Sequence, residues 1–112
     1  FLTYAAATHG ILYRVELTCL ELPTGTNVLK DFDIMAINTA LAYNGDAAAA
    51  AGVVTLLTGG GNIAKGQTMT NETVPAVADG QVLHLVEGAT STDAQVFTAG
   101  KLTVRLYGRP SF

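Results

Sequence analysis

Three segments of this chain alternate apolar and polar residues at every second position. In the clearest one, residues 101–107, the side chains fall into two sets: Leu102, Val104 and Leu106 on one side, and Lys101, Thr103, Arg105 and Tyr107 on the other. A period of two is typical of a β-strand that buries one face. The sequence therefore predicts a half-buried strand here, and similar strands in the other two segments, residues 11–22 and 28–41.

The segment of residues 11–22 is the longest of the three. Its predicted buried side consists of Ile11, Tyr13, Val15, Leu17 and Cys19, and its other side consists of Arg14, Glu16 and Thr18. We expect it to end at a turn over residues 23–27, Pro-Thr-Gly-Thr-Asn, because proline fixes φ and glycine permits positive φ. In the segment of residues 28–41, Phe32, Ile34 and Ala36 alternate with Asp31, Asp33 and Met35.

Weaker patterns predict the remaining elements. Residues 53–58 are apolar on both faces, which favours a central strand, and further strands are expected at residues 81–87 and 93–98. A turn at 88–92 precedes the last of these, and Ala99-Gly100 is expected to turn the chain into the final strand. Residues 62–80 predict an irregular connection with one short edge strand. Asp46 and Gly52 fit the two ends of a single helical turn over residues 47–51, and residues 1–9 fit a short strand or an extended arm.

Six to eight short strands with glycine or proline between them are typical of a sandwich or a barrel. We expect an all-β fold: one β-sandwich domain over residues 1–112, jelly-roll-like, with at most one short helical turn. A chain of 112 residues can bury roughly two-thirds of its unfolded surface, which is enough for one core. Its single cysteine, Cys19, cannot form an internal disulfide.

The composition bears on the partners of the chain. Charged residues make up 13% and hydrophobic residues 49%, whereas charged residues usually make up about a quarter. The imbalance reflects either the abundance of alanine or a surface that partner proteins cover. The net charge is -3 and six basic residues are scattered along the chain, so we expect no nucleic-acid partner. Glycines interrupt the longest uncharged stretch, residues 47–64, so we expect no membrane span.

Residues 59–64, Gly-Gly-Gly-Asn-Ile-Ala, formally fit the dinucleotide-binding pattern G-x-G-x-x-G/A. Such a site needs a helix directly after the glycines, because the amides at the start of that helix hold the pyrophosphate. Residues 65–68, Lys-Gly-Gln-Thr, show no helical period. We therefore expect a flexible loop and no cofactor.

Other candidate site residues favour structural roles. Structural zinc needs four ligands, but the chain offers only Cys19, His9 and His84, so we expect a core cysteine and a half-buried His84. Asp31 and Asp33 could bind calcium or act as acid and base, but no calcium-loop motif surrounds them, which favours a solvated strand face. Neither serine, Ser91 nor Ser111, lies in a nucleophile-elbow context. The sequence predicts no catalytic, cofactor-binding or metal residues and no enzyme; the sequon at residues 71–73 is expected to be coincidental.

Three stretches share patterns with a known group of proteins. They are LPTGTNV at residues 22–28, TLLTGGG at residues 55–61 and TAGKLTVRLY at residues 98–107. A P-x-G turn before a strand, a strand ending in glycines, and a final AGKLxV-type strand resemble small structural proteins of tailed bacteriophages. The resemblance is to capsid decoration (cement) proteins and related minor head or tail components, and it covers about half of the chain.

The resemblance implies a β-sandwich that forms a homotrimer on the outer surface of the virion capsid. There it would stabilise the shell by bridging neighbouring subunits of the major capsid protein, and an extended arm of residues 1–9 could add a strand to a neighbour. A phage tail or fibre component is the alternative. A carbohydrate-binding β-sandwich is a third possibility; it would need a row of exposed aromatic residues, whereas Tyr4, Tyr13, Tyr43 and Tyr107 are scattered in sequence.

Overall fold

The structure is a computed structural model, and it describes residues 1–40, 52–88 and 96–110. The described elements, in chain order, are β1 (Leu2–Thr3), α1 (Ala6–His9), β2 (Ile11–Thr26), β3 (Phe32–Ile37), β4 (Val54–Leu57), β5 (Thr68–Asn71), β6 (Val82–Glu87) and β7 (Val96–Arg109). The paired strands are antiparallel. The expected all-β sandwich is confirmed.

The strands form two sheets packed face to face. One has four strands in the order β1-β6-β3-β4, and the other has three in the order β5-β2-β7. Side chains from both sheets and from the segments that connect the strands fill the core: Tyr4, Leu12, Val15, Leu17, Cys19, Phe32, Ile34, Ala36, Leu56, Leu57, Ile63 and Leu83. Burying one such aliphatic side chain contributes about 1.5–3 kcal/mol, so this layer dominates stability. The jelly-roll form of the sandwich stays a prediction.

A β-bulge near the start of β2 changes which side chains are buried. The ladder to β7 shifts register between Leu12 and Arg14. Before the shift the even-numbered Leu12 points inward, and after it Val15, Leu17 and Cys19 do so. The prediction that Ile11 and Tyr13 lie on the buried side is therefore wrong: both are more than 40% exposed, because the extra residue in the bulge reverses the alternation.

The predicted turns at residues 23–27 and at Ala99-Gly100 are also wrong. β2 runs through Pro23 to Thr26, and β7 runs through Gly100 without a break. Register shifts occur in this part of the ladder, where a bulge accommodates proline because the missing N–H is not needed. Gly100 lies directly against Pro23, and a Cβ at position 100 would come within 2.7 Å of the Pro23 Cα. The chain leaves β2 only at Asn27, which has a φ of 55°.

β4 lies at the edge of the four-stranded sheet, so the prediction of a central strand is wrong. Leu56 and Leu57 are nevertheless both buried. The reason is that β5 of the other sheet covers this edge: the Asn71 side-chain amide donates a hydrogen bond to the Leu56 carbonyl oxygen at 2.6 Å. The predicted edge strand within residues 62–80 is confirmed as β5, and the predicted strands at 28–41 and 81–87 are confirmed as β3 and β6.

The N-terminal residues belong to the sandwich. β1 pairs with β6, and the Phe1 amino group donates to the Leu83 carbonyl oxygen at 2.7 Å. Tyr4 is buried, and its hydroxyl donates to the Gly10 carbonyl oxygen at 2.7 Å. Of the two alternatives for residues 1–9, the short strand is observed at Leu2–Thr3 and the extended arm is not, because the sheet already holds this segment. The helical turn α1 was not predicted.

Some predictions concern residues outside the described ranges. They are the helical turn at residues 47–51 with Asp46 as its cap, the positions of Tyr43, Ser91 and Ser111, and parts of the predicted turn at 88–92 and strand at 93–98.

Candidate functional site

β7 forms one edge of the three-stranded sheet. Its partner is β2, whose other neighbour is β5, and no third strand among the described residues pairs with the outer side of β7. On the opposite side of the sandwich β5 lies against β4, and the Asn71 side-chain amide donates a hydrogen bond to the Leu56 carbonyl oxygen. An unpaired edge presents backbone N–H and C=O groups that can pair with another chain. At 14 residues, β7 is a long edge of this kind.

The inward side of β7 carries Leu102, Val104 and Leu106, which pack against the core. They are only half-buried, because β2 is the one strand in the described part of the chain that pairs with β7. This alternation confirms the prediction for residues 101–107. An additional strand beside β7 would cover the remaining surface of these side chains.

The outward side of β7 is cationic. It carries Lys101, Arg105 and Arg109, half of the six basic residues of the chain, and β7 contains no acidic residue. Lys101 is exposed, and the Arg105 side chain is 57% exposed. The prediction that the basic residues are scattered missed this row. The sequence does contain the pattern, because three cations spaced four residues apart in one strand share a face.

The far end of the β2–β7 ladder is apolar. Leu20, Leu22, Val96 and Phe97, here called the apolar end, are between 36% and 51% exposed. They lie in the part of the ladder where Glu21 pairs with Lys101 and Thr26 pairs with Val96. Exposed apolar side chains next to an unpaired strand are typical of surfaces that bind other proteins.

A closed polar network occupies the outer face of the three-stranded sheet. Glu16 is only 7% exposed. The Arg14 Nη2 donates a hydrogen bond to the Glu16 Oε1 at 2.5 Å, and the Tyr107 hydroxyl donates one to the Glu16 Oε2 at 3.0 Å. The Arg105 Nη1 lies 3.9 Å from the same Oε2. The hydrogen bond to Glu16, followed by desolvation, raises the pKa of Tyr107 above its ordinary value. Both Glu16 carboxylate oxygens therefore have partners, which fixes this face of the sheet, whereas the Arg14 Nε is buried without a hydrogen-bond partner.

The structure brings together two tyrosines that are scattered in sequence. The Tyr13 and Tyr107 rings are 6.3 Å apart at an angle of 53°, and the Arg14 guanidinium lies 5.3 Å from the Tyr107 ring centre. Sugar rings stack on exposed aromatic rings that are coplanar, whereas the Tyr13 and Tyr107 rings are tilted relative to each other. The Arg14 guanidinium also covers part of the Tyr107 ring. Tyr4 is in the core. The arrangement does not favour a carbohydrate platform.

Asp31 and Asp33 lie together at the start of β3, but the prediction of a solvated face is wrong for Asp33. Asp33 is 7% exposed, and its Oδ1 accepts the Gly59 N–H at 2.8 Å. The Asp31 Oδ1 is buried, with no hydrogen-bond partner. Gly88 packs so closely that a Cβ there would come within 2.8 Å of both carboxylates. No group of three or more metal-ligating side chains occurs within the described ranges.

The other candidate residues lie apart from β7 or have structural partners. Cys19 is fully buried and His84 is half-buried, as predicted. The His9 Nδ1 accepts the Ala5 N–H at 3.0 Å, and its ring stacks on Tyr4. Residues 59–62 form a loop with no helix after them, as predicted. In the sequon, the Asn71 side-chain oxygen accepts a hydrogen bond from the Thr73 N–H, and its amide nitrogen donates to the Leu56 carbonyl oxygen. The Asn71 side chain therefore has a structural role.

Across the parts of the chain that the structure describes, helix α1 is far too short to cross a bilayer and no other helix is long and apolar enough to do so. Comparisons of the chain with protein-family models, with curated proteins and with solved structures found no match.

Proposed function

We propose that this chain is a structural protein of a tailed-bacteriophage virion, where it binds the outer surface of the capsid. It acts there as a homotrimer that bridges neighbouring major capsid protein subunits and so stabilises the shell. The observation that carries this proposal is the unpaired edge of β7 together with the apolar end, because they form a surface suited to another protein chain.

The resemblance in sequence and the geometry converge on the same part of the molecule. Of the three stretches that resemble decoration proteins, residues 22–28 include the end of β2, and residues 98–107 lie within β7. The low content of charged residues, 13%, also suits a chain whose faces are covered by partners.

Binding of this kind needs no catalytic residue. Each apolar contact contributes about 25 cal/mol for every square ångström removed from water. A trimer with three such contacts gains further from multivalency, because the second and third contacts form intramolecularly. Small increments repeated over a shell add up to a large mechanical effect.

We expect the chain to sediment with full-sized shells when virions of the source are separated on a density gradient and followed by mass spectrometry. The copy number should be comparable to that of the major capsid protein, because decoration covers the whole shell. A few copies per particle would favour the tail or fibre component instead. Recovery only as a small species at the top of the gradient would contradict a virion protein and favour a free binding module.

A further inference from the structure

From the charge pattern of β7 we infer that its open edge binds an extended acidic segment of a partner protein, which adds to the three-stranded sheet as a fourth strand. This inference rests on the proposed function, since it names the chemistry of the partner at the same surface. It combines two observations on one strand: the outer side of β7 has no described neighbour, and its exposed face carries cations without anions.

The spacing of the cations defines the segment. Lys101 and Arg105 are four residues apart on the same face of β7. In a paired strand, side chains directly opposite these two are also four residues apart, whether the strand is parallel or antiparallel. The segment should therefore carry acidic residues at positions j and j+4.

The inward side of β7 defines the positions between them. Leu102, Val104 and Leu106 pack against the core but are only half-buried, so a fourth strand beside β7 would cover more of their surface. Positions j+1 and j+3 of the segment face the same side as these leucine and valine residues, so apolar side chains there extend the core. The recognised pattern is acidic, apolar, any residue, apolar, acidic.

Charge argues against a second copy of β7 as the occupant. Two β7 strands paired antiparallel about Thr103 would place Lys101 of each opposite Arg105 of the other. Pairing about Arg105 would place the two Arg105 side chains opposite each other, and pairing about Val104 would make them diagonal neighbours, still within reach of each other because arginine is long. Like charges directly opposite in a sheet are destabilising. The chain's own N-terminal segment is also not free to fill the edge, because β1 pairs with β6.

The two neighbouring acidic residues of this chain do not cancel the cationic row. Glu16 lies on the central strand β2 and already receives Arg14 and Tyr107, and its distance to Arg105 is 3.9 Å. Glu21 pairs in register with Lys101 across the ladder, on the side of β7 away from its open edge. Both carboxylates therefore lie between β7 and the rest of its sheet. A partner strand at the open edge would contact the cationic side chains without an intervening carboxylate.

The test uses a fluorescent nine-residue peptide with valine at every even position, glutamate at positions 3 and 7, and threonine elsewhere. Its control has lysine at positions 3 and 7. We expect the glutamate peptide to bind the full chain at least about tenfold more tightly than the lysine peptide, as measured by anisotropy. Hydrogen exchange should show new protection of those amides in residues 101–107 that point away from β2, which are every second one along the strand.

A matched pair of variants separates a local effect from one of net charge. The double variant Lys101→Gln/Arg105→Gln should weaken binding of the glutamate peptide about tenfold. The control Lys30→Gln/Lys65→Gln removes the same charge away from β7 and should leave binding within about twofold. Unchanged exchange protection of β2 in both variants would show that each is folded.

Equal binding of the two peptides, equal effects of the two double variants, protection outside β7, or no binding at all would each overturn the inference. These outcomes leave the proposed function untouched, because sedimentation with shells does not depend on an acidic partner strand. Conversely, a chain that fails to sediment with shells but binds the glutamate peptide at β7 would contradict the virion role alone.

Discussion

Replacing Leu17 with alanine is expected to lower the free energy of unfolding by about 3 kcal/mol. Leu17 is fully buried in the middle of β2, paired with Met69 of β5 on one side and Val104 of β7 on the other. Because both neighbours are held in backbone ladders, the site cannot collapse onto the cavity. Urea denaturation followed by circular dichroism measures the loss.

The control is Leu20→Ala, the same substitution three positions later in β2. Leu20 is 42% exposed, so its loss should change the free energy of unfolding by no more than about 0.5 kcal/mol. Similar losses for the two variants would contradict the description of which side of β2 faces the core.

Replacing Gly25 with alanine is expected to destabilise the chain by at least about 2 kcal/mol more than the same change at Gly61. The two glycines have nearly the same φ, 149° and 152°, in a range that strains an alanine at either position. A Cβ at Gly25 would overlap the Val96 carbonyl oxygen of β7, whereas a Cβ at Gly61 meets no atom within 4 Å. Thermal unfolding of the two variants measures the difference.

The same pair of variants reports on the far end of the ladder. The turns predicted at residues 23–27 and 99–100 would end the pairing of β2 with β7 before Gly25. In that case the two variants would lose equal stability. A larger loss at Gly25 supports the continuous ladder that carries the apolar end.

The alternation in the sequence located the strands well, because a buried face imposes a period of two on any strand. It failed at Ile11 and Tyr13, where a bulge in the ladder reverses the pattern. That bulge depends on pairing with residues 107 and 108, nearly a hundred positions away in sequence. Local alternation carries no information about such a distant partner.

The turn signals failed for a related reason. Pro23 and Gly100 are each typical of a turn when considered alone, but they lie against each other in one ladder. The space that glycine leaves is where the proline fits, so both strands continue. β4 likewise has the composition of a central strand because β5 covers its edge from the other sheet.

The candidate site could be predicted only in part. The sequence shows that Lys101, Arg105 and Tyr107 share one face of the last strand. It does not show that this strand is an open edge, because strand order is set by contacts between distant segments. The Glu16 network is hidden for the same reason: its members lie on β2 and β7 and meet only through their register.

The most direct test of the proposed role is whether the chain stabilises the shell on which it is proposed to act. Purified chain is added back to shells stripped of it, and the temperature at which the shells break open is measured against the bound amount. A stabilising role predicts that this temperature rises with occupancy and reaches a plateau at saturation. Full occupancy of the outer surface with no change in the breaking temperature would contradict it.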